Sequence, residues 1–209
     1  MRKCKCFTNL DHEEKWLNDM AGRGWRFVGK SLFSYEFHEA EPEVGRIKID
    51  YRAFVKKEDF EDYRALFEDS GWKHIQGSKS SGYQYFKMVN DQGSEDIFSD
   101  ADSKAGRYKR LSEMWFSISL SFFPIIVALM STGTLKPAAL LDPEALYLTP
   151  GLWEKTGVGF WRAFLFETPF ALLRGLSAWL LPLVIMLYLI FAFKANRQYK
   201  RSQGEGLSD

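Results

Sequence analysis

The feature that most constrains the fold is a pair of long apolar runs in the second half of the chain. Residues 114–133 contain no charged side chain over 20 positions, and residues 176–193 contain none over 18. A helix rises ~1.5 Å per residue, so runs of this length match the ~30 Å hydrocarbon core of a bilayer. Each run contains a proline, Pro124 or Pro182, which transmembrane helices tolerate. The sequence therefore predicts transmembrane helices over 113–133 and 176–193, rather than two buried core helices.

Basic residues lie just outside this pair of runs. They are Arg107, Lys109 and Arg110 before the first run, and Lys194, Arg197, Lys200 and Arg201 after the second. Lys and Arg accumulate on the cytoplasmic side of membrane proteins. The two clusters agree, so we expect a multi-pass protein of the cell membrane with both termini in the cytoplasm. The basic tail, 194–209, would then be cytoplasmic.

The segment between the runs, 134–175, is then predicted to be extracytoplasmic. Aromatic residues recur at helical spacing over 151–168, which is typical of an amphipathic helix lying at the membrane surface. We expect Trp153, Trp161 and Phe164 to lie at the membrane interface. A third span is the alternative, but Arg162, Glu167 and Arg174 make insertion of this segment costly.

The first 112 residues have a very different composition. They contain 20 Lys and Arg and 20 Asp and Glu, so they are highly charged and neutral overall. A nucleic-acid-binding domain usually carries a basic excess, and this balance argues against one. The opening residues pass directly into polar sequence, so no cleavable signal peptide is expected.

This polar part shows an internal repeat with a period of 47 residues. Trp16 matches Tyr63, and the dipeptide Gly24–Trp25 matches Gly71–Trp72. Farther along, Tyr35 and Phe37 match Tyr83 and Tyr85 after a shift of one more residue. Each copy, over about 3–40 and 46–88, predicts strand, helix, strand, strand.

Two such copies predict an α+β domain over residues 1–90. We expect a duplicated βαββ, ferredoxin-like arrangement, with a six-stranded antiparallel sheet and two helices on one face. Asn9 or Asp11 is expected to cap the first helix, and Gly24 to end it. The polar linker, 91–112, is expected to be either a flexible tether or a helix continuous with the first span.

The other face of the predicted sheet carries charged residues at alternate positions. They are Lys5, Arg26, Glu36, Lys48, Asp50 and Arg52. Such a face is either simply solvated or a docking surface for a protein partner or small ligand.

The same residues carry a resemblance to a known family. The Gly24–Trp25 and Gly71–Trp72 junctions, Trp16–Leu17, the run 95–100 and the run 107–111 resemble the bacterial domain-of-unknown-function 2812 (DUF2812) family. The resemblance covers about residues 1–111. It implies a membrane protein typical of Gram-positive bacteria, often encoded near PadR-type transcriptional regulators. It implies no activity and no catalytic residues.

No pattern in the sequence predicts catalytic chemistry, a cofactor or a metal. Cys4 and Cys6 are a conceivable metal pair, but no second pair completes the site, and the histidines have no ligand spacing. An acidic stretch has no calcium-loop spacing and is expected to be solvated; it consists of Asp91, Glu95, Asp96, Asp100 and Asp102. We therefore do not expect an enzyme.

Three functions remain open at this point. The first is a membrane-anchored regulatory or adaptor protein that binds a protein partner in the cytoplasm and contacts the lipid bilayer through its helices. The second is an accessory subunit of a membrane transporter. The third is a membrane-associated enzyme, which would require a cluster of polar residues that the sequence does not reveal.

Overall fold

The structure of the protein, a computed structural model, describes residues 1–31, 33–44, 46–90, 96–132 and 142–205. It divides into two compact units. The first unit comprises residues 1–113 and 193–209, and the second comprises 114–192. Part of the acidic stretch (Asp91 and Glu95), the start of the predicted outer segment (134–141) and the end of the tail (206–209) lie outside the described residues.

The first unit is α+β, as predicted. Its elements are β1 (Arg2–Cys4), α1 (Leu10–Gly22), β2 (Trp25–Lys30), β3 (Ser34–Glu39), β4 (Ile47–Tyr51), α2 (Lys57–Asp69), β5 (Trp72–Gln76) and β6 (Tyr83–Met88). Asn9 caps α1, since its side-chain oxygen accepts a hydrogen bond from His12 N at 3.1 Å. Each half of this unit thus has the order β-α-β-β.

The strands form two three-stranded antiparallel sheets instead of the predicted single sheet of six. Their strand orders are β1-β3-β2 and β4-β6-β5. The edge strands β2 and β5 lie next to each other, but both have an irregular register, around Val28 and around Ile75. The side chain of Gln76 replaces the missing ladder: Lys30 N donates to Gln76 Oε1 at 2.6 Å, and Gln76 Nε2 donates to Lys30 O at 2.9 Å. The bulges therefore prevent one continuous sheet.

The register also corrects the predicted match between the last hairpins. Phe27 pairs with Phe37, and His74 pairs with Phe86. Phe27 and His74 are 47 residues apart, whereas their partners are 49 apart. The third strands are therefore offset by two residues and not by the predicted one. This matters because a shift of one residue moves every side chain to the opposite face of a sheet.

The two Gly-Trp junctions have the backbone geometry that the sequence predicts. Gly24 has a φ of 81° and Gly71 has a φ of 86°, the left-handed region that favours glycine. A Cβ added at Gly24 would lie 2.8 Å from Ala40 O. Gly24 also accepts a backbone hydrogen bond from Ala40 N at 2.9 Å, so the junction joins the end of α1 to the end of β3.

Each half has its own aromatic packing. In the first half, Trp16 contacts Tyr35 and Phe37 edge to face, with ring centroids 4.9 and 5.5 Å apart. In the second half, α2 contributes to a buried cluster of Phe60, Tyr63, Trp72, Phe86 and Met88. Phe27 and Tyr85, 5.2 Å apart, connect the two halves.

Two helices continue from the first unit into the second. They are α3 (Ala101–Ser121) and α5 (Gly157–Glu205). A short helix, α4 (Phe123–Ser131), follows α3 after a break at Phe122, with Pro124 in its first turn. Within the second unit, the ring of Tyr188 stacks on Trp115 and on Phe122 at 5.5 and 5.9 Å, so the two apolar helices pack against each other.

The outer segment differs from the predicted separate interfacial helix. Short 3₁₀ turns occupy Pro143–Leu146 and Leu152–Glu154, and α5 then runs from Gly157 without interruption past Pro169 and Pro182. Residues 157–175 and the predicted span 176–193 therefore belong to one helix of 49 residues. At ~1.5 Å per residue this helix is far longer than a bilayer core.

Candidate functional sites

The N-terminal half of α3 is bound to the first unit by a buried arginine. Arg107 is fully buried and forms ion pairs with Glu14 and, at 2.5 Å, with Asp11. It also donates to Ile49 O at 2.7 Å, and its guanidinium lies 5.0 Å from the ring of Phe98. Of the two predicted states of the linker, tether or helix, residues 101–112 are therefore helical.

The neighbouring Tyr108 strengthens this attachment. Its side chain is also fully buried, and its hydroxyl donates to Asp11 Oδ2 at 2.7 Å. The same hydroxyl accepts from Asp11 N at 3.2 Å. These contacts fix α3 to the first turn of α1.

The outward-facing edge of β4 is closed by side chains. Asn18 binds both N and O of Ile47, at 2.7 and 3.3 Å, and Glu14 accepts from Ile49 N at 3.0 Å. Arg110 Nε donates to Tyr51 O at 2.6 Å. Burial raises the pKa of Glu14, while the charge of Arg107 beside it acts in the opposite direction. An edge strand that is usually open to another chain is thus sealed by α1 and α3.

A second charged group links α3 to the other half. Arg110 forms a 2.7 Å ion pair with Asp50, whose other carboxylate oxygen accepts from Tyr63 OH at 2.9 Å. Asp50 is 3% exposed. Burial raises the pKa of Tyr63, and the Asp50 charge raises it further, so this hydroxyl remains a donor.

A lysine surrounded by tyrosines lies where the two sheets meet. Lys30 Nζ is 2.9 Å from Glu13 Oε1 and lies over the rings of Tyr35, Tyr83 and Tyr85 at 5.1, 4.6 and 5.9 Å. Tyr85 OH donates to the same Glu13 oxygen at 2.7 Å. The partners of Lys30 belong to both halves of the unit. We therefore interpret this cluster as a structural contact that holds the two halves together.

The six residues of the predicted sheet face do not form one surface. Arg26 and Glu36 do lie on the outer face of the first sheet, because the alternate positions Phe27 and Phe37 point into the core. Lys5 instead lies over the ring of Trp16 at 4.9 Å.

The other three predicted face residues are on the second half. Asp50 is buried, and Lys48 binds Asp96 at 3.1 Å and Glu14 at 3.7 Å, so both have internal partners. Arg52 is exposed beside the ring of Tyr63. Helix α2 covers this face of the second sheet, whereas the alternating charged residues predict that it faces solvent.

The three predicted interface aromatics do lie close together in the second unit. Phe164 stacks on Tyr147 at 5.3 Å, and Trp153 contacts the same tyrosine at 5.3 Å. Trp161 is 6.0 Å from Phe164 and 58% exposed. Their placement at a membrane surface stays a prediction.

Two of the charges that argued against membrane insertion of this segment are paired. Glu167 binds Arg174 at 2.6 Å and accepts from Thr149 Oγ1 at 2.8 Å and from Leu148 N at 3.2 Å. Arg174 also donates to Leu146 O. Pairing lowers the cost of removing charges from water, so the sequence argument against insertion is weaker than it first appeared.

A cavity of about 750 Å³ in the first unit is lined by several basic residues. It lies between the start of α1 and the tail of α5. Its lining residues are Thr8, Asn9, His12, Lys194, Arg197, Gln198, Lys200 and Arg201. No pattern in the sequence predicts that these two segments lie together.

The remaining predicted groups show no convergence on a site. Cys4 and Cys6 are free thiols and both exposed. Within the described ranges, no three His, Cys, Asp or Glu side chains are placed to hold a metal. In the acidic stretch, Asp100 Oδ1 accepts from Ser103 N at 2.6 Å at the start of α3.

The chain matches one known protein family. The family described as "Protein of unknown function (DUF2812)" matches residues 9–120, more than half of the chain. The chain belongs to this family. Neither a curated protein nor a solved structure matches the chain. The DUF2812 match begins at the residue that caps α1 and ends within α3, so it includes Arg107, Tyr108 and Arg110. It therefore includes the attachment of α3 to the α+β unit.

Proposed function

We propose that this DUF2812 protein is a membrane-anchored adaptor whose α+β unit binds a protein partner in the cytoplasm. The observation that carries the proposal is the exposure of the two apolar helices. In the most apolar 18-residue stretch of each helix, only 6% and 12% of the residues are buried. The core helix of a soluble protein would be mostly buried. Apolar surface of this extent requires lipid or an apolar partner around it.

The contacts of α3 support anchoring of a folded unit. Arg107, Tyr108 and Arg110 bind the start of this helix to α1 and β4, and the same helix continues into apolar sequence. We further propose a role in an envelope-stress or drug-response module, because the family resemblance implies that members are often encoded near PadR-type regulators.

The chain offers a direct test of the proposed orientation, with both termini in the cytoplasm. Its two cysteines, Cys4 and Cys6, are both near the N-terminus and exposed. A membrane-impermeant maleimide should label them only after cells are permeabilised. A control variant, Cys4→Ser with Cys6→Ser and Lys155→Cys, should be labelled in intact cells. The opposite labelling pattern would reverse the orientation.

The proposed partner surface is the outer face of the first sheet, which carries Arg26 and Glu36. Exchanging the charges, Arg26→Glu with Glu36→Lys, keeps the net charge and should abolish capture of a partner from crosslinked, solubilised membranes. The matched control is Lys73→Glu with Asp69→Lys, at exposed positions of the second half. If both variants recover the same proteins as the parent chain, this face is not the partner surface.

An accessory subunit of a transporter is the second candidate. The exposed apolar helices favour it, because such surface can contact another membrane protein as well as lipid. Replacing residues 114–133 and 176–193 with unrelated apolar spans distinguishes the two functions. An adaptor retains its partner after the exchange, whereas an accessory subunit loses it.

A further inference from the structure

The basic cavity of the first unit combines a helix N-terminus with a face of cations. Thr8 and Asn9 precede α1, and His12 lies in its first turn. The N-terminal end of a helix carries partial positive charge that favours an anion, although the N–H groups of Asp11 and His12 already donate to Tyr108 OH and to Asn9 Oδ1. The first turn carries two acids: Asp11 is bound to Arg107 and Tyr108, and Glu13 is bound to Lys30 and Tyr85.

The other wall of the cavity is the tail of α5. Lys194, Arg197, Gln198 and Arg201 follow the spacing of one helical face, and Lys200 lies beside them. In the described part of the chain, no carboxylate lies within 4.0 Å of Lys194, Arg197 or Lys200. By contrast, Arg107 and Arg110 of α3 are both ion-paired. Lys194, Arg197 and Lys200 thus present three like charges to one cavity, with no carboxylate of the described residues within ion-pair distance to balance them.

We propose that this cavity binds a phosphate-bearing anion, supplied either by the headgroup of an anionic phospholipid or by a soluble phosphate ester. Its volume of about 750 Å³ suits a small organic ligand and exceeds the size of a single inorganic ion. Guanidinium groups bind phosphate oxygens through paired hydrogen bonds, and lysines add point charge. A phosphate at the start of α1 would reduce the repulsion along the tail.

The position of the tail in the chain favours the lipid as the source. Residues 194–201 directly follow the second apolar run, where basic residues meet anionic headgroups. This preference rests on the proposed membrane location, whereas binding of a soluble ester does not. The test therefore measures both ligands.

The test is native mass spectrometry of the full chain in a neutral detergent. Short-chain phosphatidylglycerol, short-chain phosphatidylcholine and glycerol phosphate are titrated separately, and then glycerol phosphate is added in competition with phosphatidylglycerol. Thr8→Glu introduces a negative charge at the α1 wall, and Arg197→Gln with Lys200→Gln removes two cations. Ser80→Glu, and Lys57→Gln with Lys73→Gln, are charge-matched controls at exposed positions elsewhere.

We expect phosphatidylglycerol to bind in preference to phosphatidylcholine, and both cavity variants to weaken it by about tenfold or more. The controls should bind like the parent chain. Competition by glycerol phosphate would identify a soluble ester as the source, and lack of competition would identify the lipid; either outcome supports the site. Equal binding of the two lipids, or undiminished binding by Thr8→Glu, would overturn it, because a diffuse basic tail does not depend on residue 8.

Discussion

Removing the buried Arg107 of α3 should destabilise the α+β unit more than removing any exposed charged residue. In Arg107→Met, Glu14 loses its main ion-pair partner and retains only Lys48 at 3.7 Å and the hydrogen bond from Ile49 N. Asp11 is 43% exposed and can be solvated instead. Breaking a buried pair on one side costs about 3–5 kcal/mol. Ile49 O also loses its partner, so the upper half of this range is expected.

Hydrogen–deuterium exchange of the full chain in detergent measures this loss locally. Peptides covering β4 and α2 report on the first unit separately from the apolar helices. A loss of about 3–5 kcal/mol corresponds to exchange faster by roughly two to four orders of magnitude. Adding Glu14→Gln to Arg107→Met should recover part of the protection, since residue 14 then no longer carries an unpaired buried charge.

Lys109→Met is the matched control for this experiment. It removes the same charge from an exposed position of the same helix and should change exchange by less than a factor of about five. Two results would refute the reasoning: equal effects of Arg107→Met and Lys109→Met, or a double variant that loses as much protection as the two single variants together.

Three further predictions concern the frame of the first unit. Gly24→Ala should destabilise the first unit by about 1–3 kcal/mol in thermal unfolding, since the left-handed φ is strained for alanine. Gly22→Ala is the control and should be neutral or stabilising, because a Cβ at residue 22 meets open space. Equal effects of the two variants would contradict the prediction. Gln76→Leu leaves Lys30 N and O unpaired and should cost about 1–3 kcal/mol, seen as faster exchange at Lys30, and unchanged exchange there would be evidence against the side-chain bridge. Burial lowers the pKa of His74, so as the pH falls the unfolded chain takes up this proton before the folded chain does. The stability should therefore fall as the pH decreases below ~6.5. His74→Phe should make the melting temperature depend less on pH, and an unchanged pH dependence would assign the effect to other groups.

The helices and strands of the first unit could be predicted because the residues that begin, end and pattern each element lie within that element or beside it. The apolar spacing around Trp16, the cap at Asn9 and the glycines at the Gly-Trp junctions act within a few residues of where they stand. The division into two sheets was not predictable in this way. It depends on a contact between Gln76 and Lys30, 46 residues apart, and on bulges that leave no mark in the alternation.

The candidate sites were harder to predict than the elements. A basic residue before an apolar run has the same local sequence whether it faces lipid headgroups or a buried carboxylate. The sequence therefore predicts Arg107 to be part of a membrane flank, although its side chain lies in the core. Lys48 and Asp50 likewise alternate with apolar residues as a solvated face does, and only the tertiary structure shows that Asp50 is buried and that Lys48 is paired with Glu14 and Asp96. The basic cavity joins residues about 190 positions apart, for which one sequence contains no signal.

The sealed edge of β4 has a consequence for the order of synthesis. Asn18 and Glu14 precede β4 in the chain and can cover their share of the edge at once, but Arg107 and Arg110 leave the ribosome well after the strand. Until then, the carbonyls of Ile49 and Tyr51 remain open to pairing with another nascent chain. The residues that close this edge lie directly before the first apolar run, so the fold of the first unit is completed just before the first candidate membrane span is synthesised.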